Sequence, residues 1–99
     1  MKRIFLSLGF SGRKEEDVRN DIDKAKKLIS LDFKNEEIEF VHNYDYIGNN
    51  RIECLGEAIK KISTCDCVYF IDNWWKHKGC VIEYEVCKNY EIPIKSIFI

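Results

Sequence analysis

Short apolar runs alternate along the chain with stretches whose apolar residues recur at helical spacing. Arg3–Leu8, rich in β-formers and bounded by Gly9, predicts a first strand. Glu15 to about Leu31 predicts a helix, because Val18, Ile22, Ala25 and Ile29 fall on one face. Its charges suit the helix dipole, with Glu15, Glu16 and Asp17 at the start and Lys24, Lys26 and Lys27 further on. Glu37–His42 alternates, setting Ile38 and Phe40 opposite Glu39 and Val41, as a half-exposed edge strand does. Asn50 with Glu53 three residues on resembles a capping box. The helix it opens runs to about Thr64, with Ile52, Leu55, Ile59 and Ile62 on one face. Cys67–Ile71 is nearly all apolar, which predicts a central strand covered on both faces. Gly79–Glu91 reads as the last helix. Pro93–Ile99 reads as the last strand, its proline at the start, where a missing N–H is tolerated.

This order, β-α-β-α-β-α-β, predicts an α/β domain spanning residues 1–99 with a doubly wound, four-stranded parallel sheet of Rossmann or flavodoxin-like type. The expected strand order is 2-1-3-4. Its switch point lies between strands one and three, where ligands bind outside the carboxyl ends of strands. Two loops meet there, Gly9–Lys14 and Asp72–Lys78.

Composition narrows the function classes. With 16 basic against 17 acidic residues and no sustained basic run, the chain lacks an electrostatic footprint for duplex nucleic acid. The apolar run Ile4-Phe5-Leu6 is too short for a signal peptide or a membrane span, so a cytoplasmic protein with no membrane partner is expected. Five cysteines are then expected as reduced thiols. Cys65-Asp66-Cys67 has no second pair at ligand spacing, and neither a metal nor a cofactor is expected.

The stretch from Cys65 to Tyr90 concentrates the candidate chemistry. Glu83 falls in the first turns of the last helix, with Cys80 and Cys87 on its face. A carboxylate desolvated there is a candidate nucleophile or base, while a plain helix-dipole stabiliser is the alternative. Asp72 closes the central strand at the switch point and can orient a ligand hydroxyl or shuttle a proton, or simply serve the turn. Trp74 and Trp75 offer flat faces for a nucleobase, one of them expected to pack structurally. Gly9, Phe10, Ser11, Gly12 and Arg13 form a loop of small residues beside a helix N-terminus, with Arg13 able to pair an anion. A plain tight turn is the alternative for that loop.

These residues resemble a known family. Leu55-Gly56-Glu57-Ala58-Ile59, Ser63-Thr64-Cys65-Asp66, Val68-Tyr69-Phe70, Trp75, Lys78-Gly79-Cys80 and Glu83-Tyr84-Glu85 are similar to the nucleoside 2-deoxyribosyltransferase-like family. Arg3-Ile4-Phe5-Leu6-Ser7 with Ser11-Gly12-Arg13 is similar to its opening strand and loop. The resemblance implies a Rossmann-like sheet and a nucleoside or nucleotide as ligand. It implies cleavage or exchange of the N-glycosidic bond, with Glu83 as nucleophile, as in a retaining glycosidase. Asp72 would then protonate the leaving base. Ser7, Gly9–Arg13, Trp74, Trp75, His77 and Gly79 would line the substrate site.

Three departures stand beside the resemblance. His77 occupies the place where the family's transferases carry an acidic residue, about six positions before the nucleophile. Glu57 or Ala58 stands in the region where they carry an aspartate. The transferases are also longer and complete each site with a neighbouring subunit's C-terminal segment. A homo-oligomer is expected, and an interaction domain whose Trp74 and Trp75 form its interface is a further reading. Transfer, hydrolysis, a modified substrate, and a non-catalytic module that senses or sequesters a nucleotide all stay open from the sequence.

Overall fold

The computed structural model describes all residues, Met1–Ile99. Its elements are β1 (Lys2–Ser7), α1 (Glu15–Asp32), β2 (Ile38–Val41), α2 (Arg51–Ile62), β3 (Cys67–Ile71), a single 3-10 turn (Trp74–Lys76), α3 (Lys78–Asn89) and β4 (Ile94–Ile97). The sheet order is β2-β1-β3-β4 and every pairing is parallel. That is the expected α/β architecture, with β1 and β3 adjacent at the centre. No helix is long and apolar enough to cross a membrane.

Period-two alternation in the strands divides the core into two layers. Ile4, Leu6 and Leu8 pack with Tyr69 and Ile71 against Val18, Ile22, Ala25 and Ile29 of α1. Phe5, Val68 and Phe70 point the other way, against Ala58 and Ile62 of α2 and Cys87 of α3. All five residues of β3 are buried, as a strand covered on both faces requires.

Element ends differ from the expectation by at most two residues, and β3 matches it at both ends. The Asn50 side chain caps α2 by accepting from Glu53 N at 2.8 Å, but the helix ends at Ile62 because Thr64 N and Cys65 N turn back onto Lys61 O and Ile62 O. Glu91 takes a left-handed conformation (φ 57°) just past α3, which stops at Asn89. The loop after β3 is also more ordered than the sequence predicts. Asn73, left-handed at φ 58°, bends the chain into the Trp74–Lys76 turn, and the His77 carbonyl then accepts the first hydrogen bond of α3 from Val81 N.

Candidate functional site

Two elements meet at the carboxyl end of the central strands. Ser7 is the last residue of β1 and faces the α3 side, because Phe5 two residues earlier does so. Glu83 lies one turn inside α3 on the face shared with buried Cys80 and Cys87. The Ser7 hydroxyl donates to Glu83 Oε1 at 2.7 Å, with Glu83 only 8% exposed. Burial pushes the Glu83 carboxyl up to about 7, and the Ser7 hydrogen bond opposes that rise. The group therefore titrates much closer to neutral pH than an exposed glutamate does.

The second carboxyl oxygen has a different setting. Oε2 lies 3.9 Å from where a side chain on residue 79 would begin, and Gly79 leaves that space without one. Arg3 Nε is the fully buried side-chain polar atom that lacks a hydrogen-bond partner. Oε2 makes no hydrogen bond either and is not buried in that way, so it lies on the solvent-facing side of the group. Cys80 sits beside the same Ser7 hydroxyl. Burial pushes its thiol up to about 12, with the Ser7 contact lowering it and Glu83 raising it. That thiol stays protonated and is no nucleophile at neutral pH.

Above Ser7, Gly9 is buried against the His77 ring. A Cβ on residue 9 would stand 2.0 Å from His77 Cδ2 and 2.1 Å from Nε2, so only glycine admits the imidazole here. His77 caps α3 through its backbone while its side chain makes no capping hydrogen bond.

The remaining loop residues take several roles. Ser11 and Gly12 are exposed, with Gly12 at φ 74° in the turn closed by Arg13 N to Phe10 O. Arg13 donates from Nη1 to Gly9 O at 2.8 Å and pairs through Nη2 with Asp21 at 2.5 Å, so its guanidinium braces the loop. Phe10 meets Tyr44 edge-on at 5.2 Å, and the Arg19 guanidinium lies 4.8 Å from the Tyr44 ring while binding Asp45. The β1–α1 and β2–α2 loops thus pack together, over the α1 layer of the core.

The tryptophans divide. Trp74 stacks on Tyr84 at 4.6 Å and tilts against Phe70 at 5.1 Å, which makes it part of the core edge. Trp75 is 51% exposed. Asp72 accepts the backbone N–H of Ile99 at 3.0 Å, while its own N–H donates to Ile97 O. Its carboxylate thus holds the chain beyond β4, whereas that of Glu83 holds β1.

The cysteines are all free thiols. Asp66 accepts Arg3 N at 2.7 Å, and the Cys65 thiol donates to Lys61 O. Three residues of this region escape sequence reasoning. The Phe10 partner Tyr44 and the Trp74 partner Tyr84 carry no local signal, since an aromatic in a polar loop or on a helix declares its partner only after folding. Buried Asn43 is the third. It donates to Cys54 O at 2.7 Å and accepts Lys61 Nζ at 3.0 Å, fixing the end of β2 to α2.

Comparison with known proteins adds a family. No curated protein matches the chain. The profile of DUF4406, described as a domain of unknown function, matches residues 4–96, which runs from within β1 to within β4. The chain belongs to the DUF4406 family.

Proposed function

We propose that this protein cleaves or transfers the N-glycosidic bond of a nucleoside or nucleotide, with Glu83 as nucleophile. The observation that carries the reading is the divided Glu83 carboxyl: Oε1 held by Ser7, Oε2 open beside Gly79, and the group poised near neutrality. The resemblance to the nucleoside 2-deoxyribosyltransferase-like family supports it independently. In the first step Oε2 bonds to the anomeric carbon as the carbon–nitrogen bond breaks, and the electron pair leaves with the base, which takes up a proton. Water or a second base then attacks the anomeric carbon, the glycosyl–Oε2 bond breaks, and the carboxylate is restored. Trp75 is the aromatic face left for the base, since Trp74 is packed on Phe70 and Tyr84. The test is chromatography of a nucleoside and nucleotide panel with and without an acceptor base. Base release that Glu83→Ala abolishes is the expected result, and no release from any member would refute the reading for those substrates.

A second reading, a nucleotide-binding module without turnover, is favoured by one observation. Arg13 and Asp72, two polar groups expected to serve a ligand or a reaction, are engaged within the chain. It predicts thermal stabilisation by a nucleotide that is recovered intact. Under either reading we propose a homo-oligomer, for which the exposed Val81, Ile82 and Tyr90 at the α3 surface supply apolar area; a monomer by sedimentation would contradict it.

A further inference from the structure

We infer that His77 is the acid that protonates the leaving base, an inference that rests on the glycosidic reading above. Ser7 and Gly9 lie two positions apart and meet α3 and its approach on the same side of the sheet. Ser7 presents a hydroxyl that holds Glu83. Gly9 presents bare backbone, and the His77 ring fills the space its side chain would take. Ser7 holds the carboxyl at the end of β1, and the imidazole covers the chain two residues further on, so the two groups stand side by side where the chain leaves β1.

The side chain is also chemically uncommitted. His77 is half-buried, and its ring makes no capping hydrogen bond to α3. Asp72, the other proton source near the end of β3, gives Oδ1 to the Ile99 N–H and so is tied to the chain beyond β4 rather than to β1. The two partners are fixed to each other by one short connection, since α3 begins at Lys78 directly after His77 and carries Glu83.

The imidazolium gives its proton to a ring nitrogen or oxygen of the base as the carbon–nitrogen bond breaks, and that electron pair stays on the base. The neutral imidazole then takes a proton from the water or acceptor base that attacks the glycosyl–Glu83 ester, which restores both groups. No oxidant, reductant or further co-reactant enters.

The experiment compares two leaving groups on one sugar: a purine 2-deoxynucleoside, whose base needs a proton to leave, and a 4-nitrophenyl 2-deoxyriboside, whose phenolate does not. His77→Ala is expected to lose about 100-fold or more on the nucleoside while staying within about threefold of wild type on the nitrophenyl substrate. Glu83→Gln is expected to lose both. Added imidazole should restore part of the nucleoside activity to His77→Ala, because the vacated space lies over Gly9. If His77→Ala does not fold, His77→Gln serves, with folding checked by circular dichroism. Equal losses on the two substrates in a folded variant, or full nucleoside activity, would overturn the inference and leave the glycosidic reading standing. Wild type inert toward both substrates would overturn the glycosidic reading for 2-deoxynucleosides and this inference with it.

Discussion

The Ser7 hydroxyl and the Glu83 carboxyl, 76 positions apart, share a buried 2.7 Å hydrogen bond that joins the end of β1 to the first turns of α3. This bond fixes one carboxyl oxygen and leaves the other toward solvent. It also moderates the cost of burying an ionisable group where the sheet opens. The candidate site is therefore a point of stored instability, which makes it measurable without any substrate.

Glu83 should make stability fall as pH rises. Its folded value, about 7, lies above the ordinary 4.5, so the folded state keeps a proton that the unfolded chain releases. No penalty exists below pH 4.5. It grows through the window between 4.5 and 7 and is complete above it, at about 3 kcal/mol. Glu83→Gln keeps an acceptor for Ser7 and removes the ionisation. Urea denaturation should show Glu83→Gln gaining roughly 2–3 kcal/mol over wild type between pH 5 and pH 8, since part of the penalty is already present at pH 5. A constant difference across that range would contradict the burial argument.

Ser7→Ala removes the contact that lowers the Glu83 value. The carboxyl should then titrate at higher pH than in wild type, an upward displacement readable by carbon-13 NMR of Glu83. The acidic limb of the pH–rate profile should move the same way. An unmoved titration would mean that Ser7 does not hold Glu83 in solution.

Gly9→Ala should destabilise the protein by about 1–3 kcal/mol, because the new Cβ would overlap the His77 ring. The same change in a His77→Ala background should cost much less. A double-mutant cycle by denaturation reads the coupling between them. Equal costs in the two backgrounds would show that the ring does not rest on Gly9.

The two tryptophans should separate cleanly. Trp74→Ala loses its packing on Phe70 and Tyr84 and should cost about 3 kcal/mol. Trp75→Ala, half-exposed, should stay within about 0.5 kcal/mol of wild type. Nucleoside binding should quench fluorescence in Trp74→Phe and not in Trp75→Phe, since Trp75 is the free face. Quenching that survives only in Trp75→Phe would assign the base to the other ring.

The sheet was legible because Cys67–Ile71 is apolar at nearly every position and Glu37–His42 alternates. Those two patterns alone separate a central strand from an edge strand. The capping role of Asn50 was legible for a similar reason, as its partner Glu53 is three residues away. The contacts that define the site were not. Ser7 and Glu83 sit on different elements, and nothing local tells a serine ending a strand that a carboxyl will lie 2.7 Å away. Gly9 reads locally as a turn glycine, whereas its demand comes from the His77 ring, far along the chain. Arg13 reads as an anion partner because Asp21, about two helical turns into α1, does not announce itself as a competitor.

The central claim, that Glu83 Oε2 attacks an anomeric carbon, is tested most directly by trapping the product of that attack. A fluorine at the sugar 2-position disfavours the oxocarbenium-like transition states of both steps. With an activated leaving group the first step still proceeds, so the glycosyl ester should accumulate. Intact mass spectrometry should show one added sugar per chain, peptide mapping should place it on Glu83, and Glu83→Gln should show none. Base release without any sugar on Glu83, or an adduct that persists in Glu83→Gln, would contradict the account.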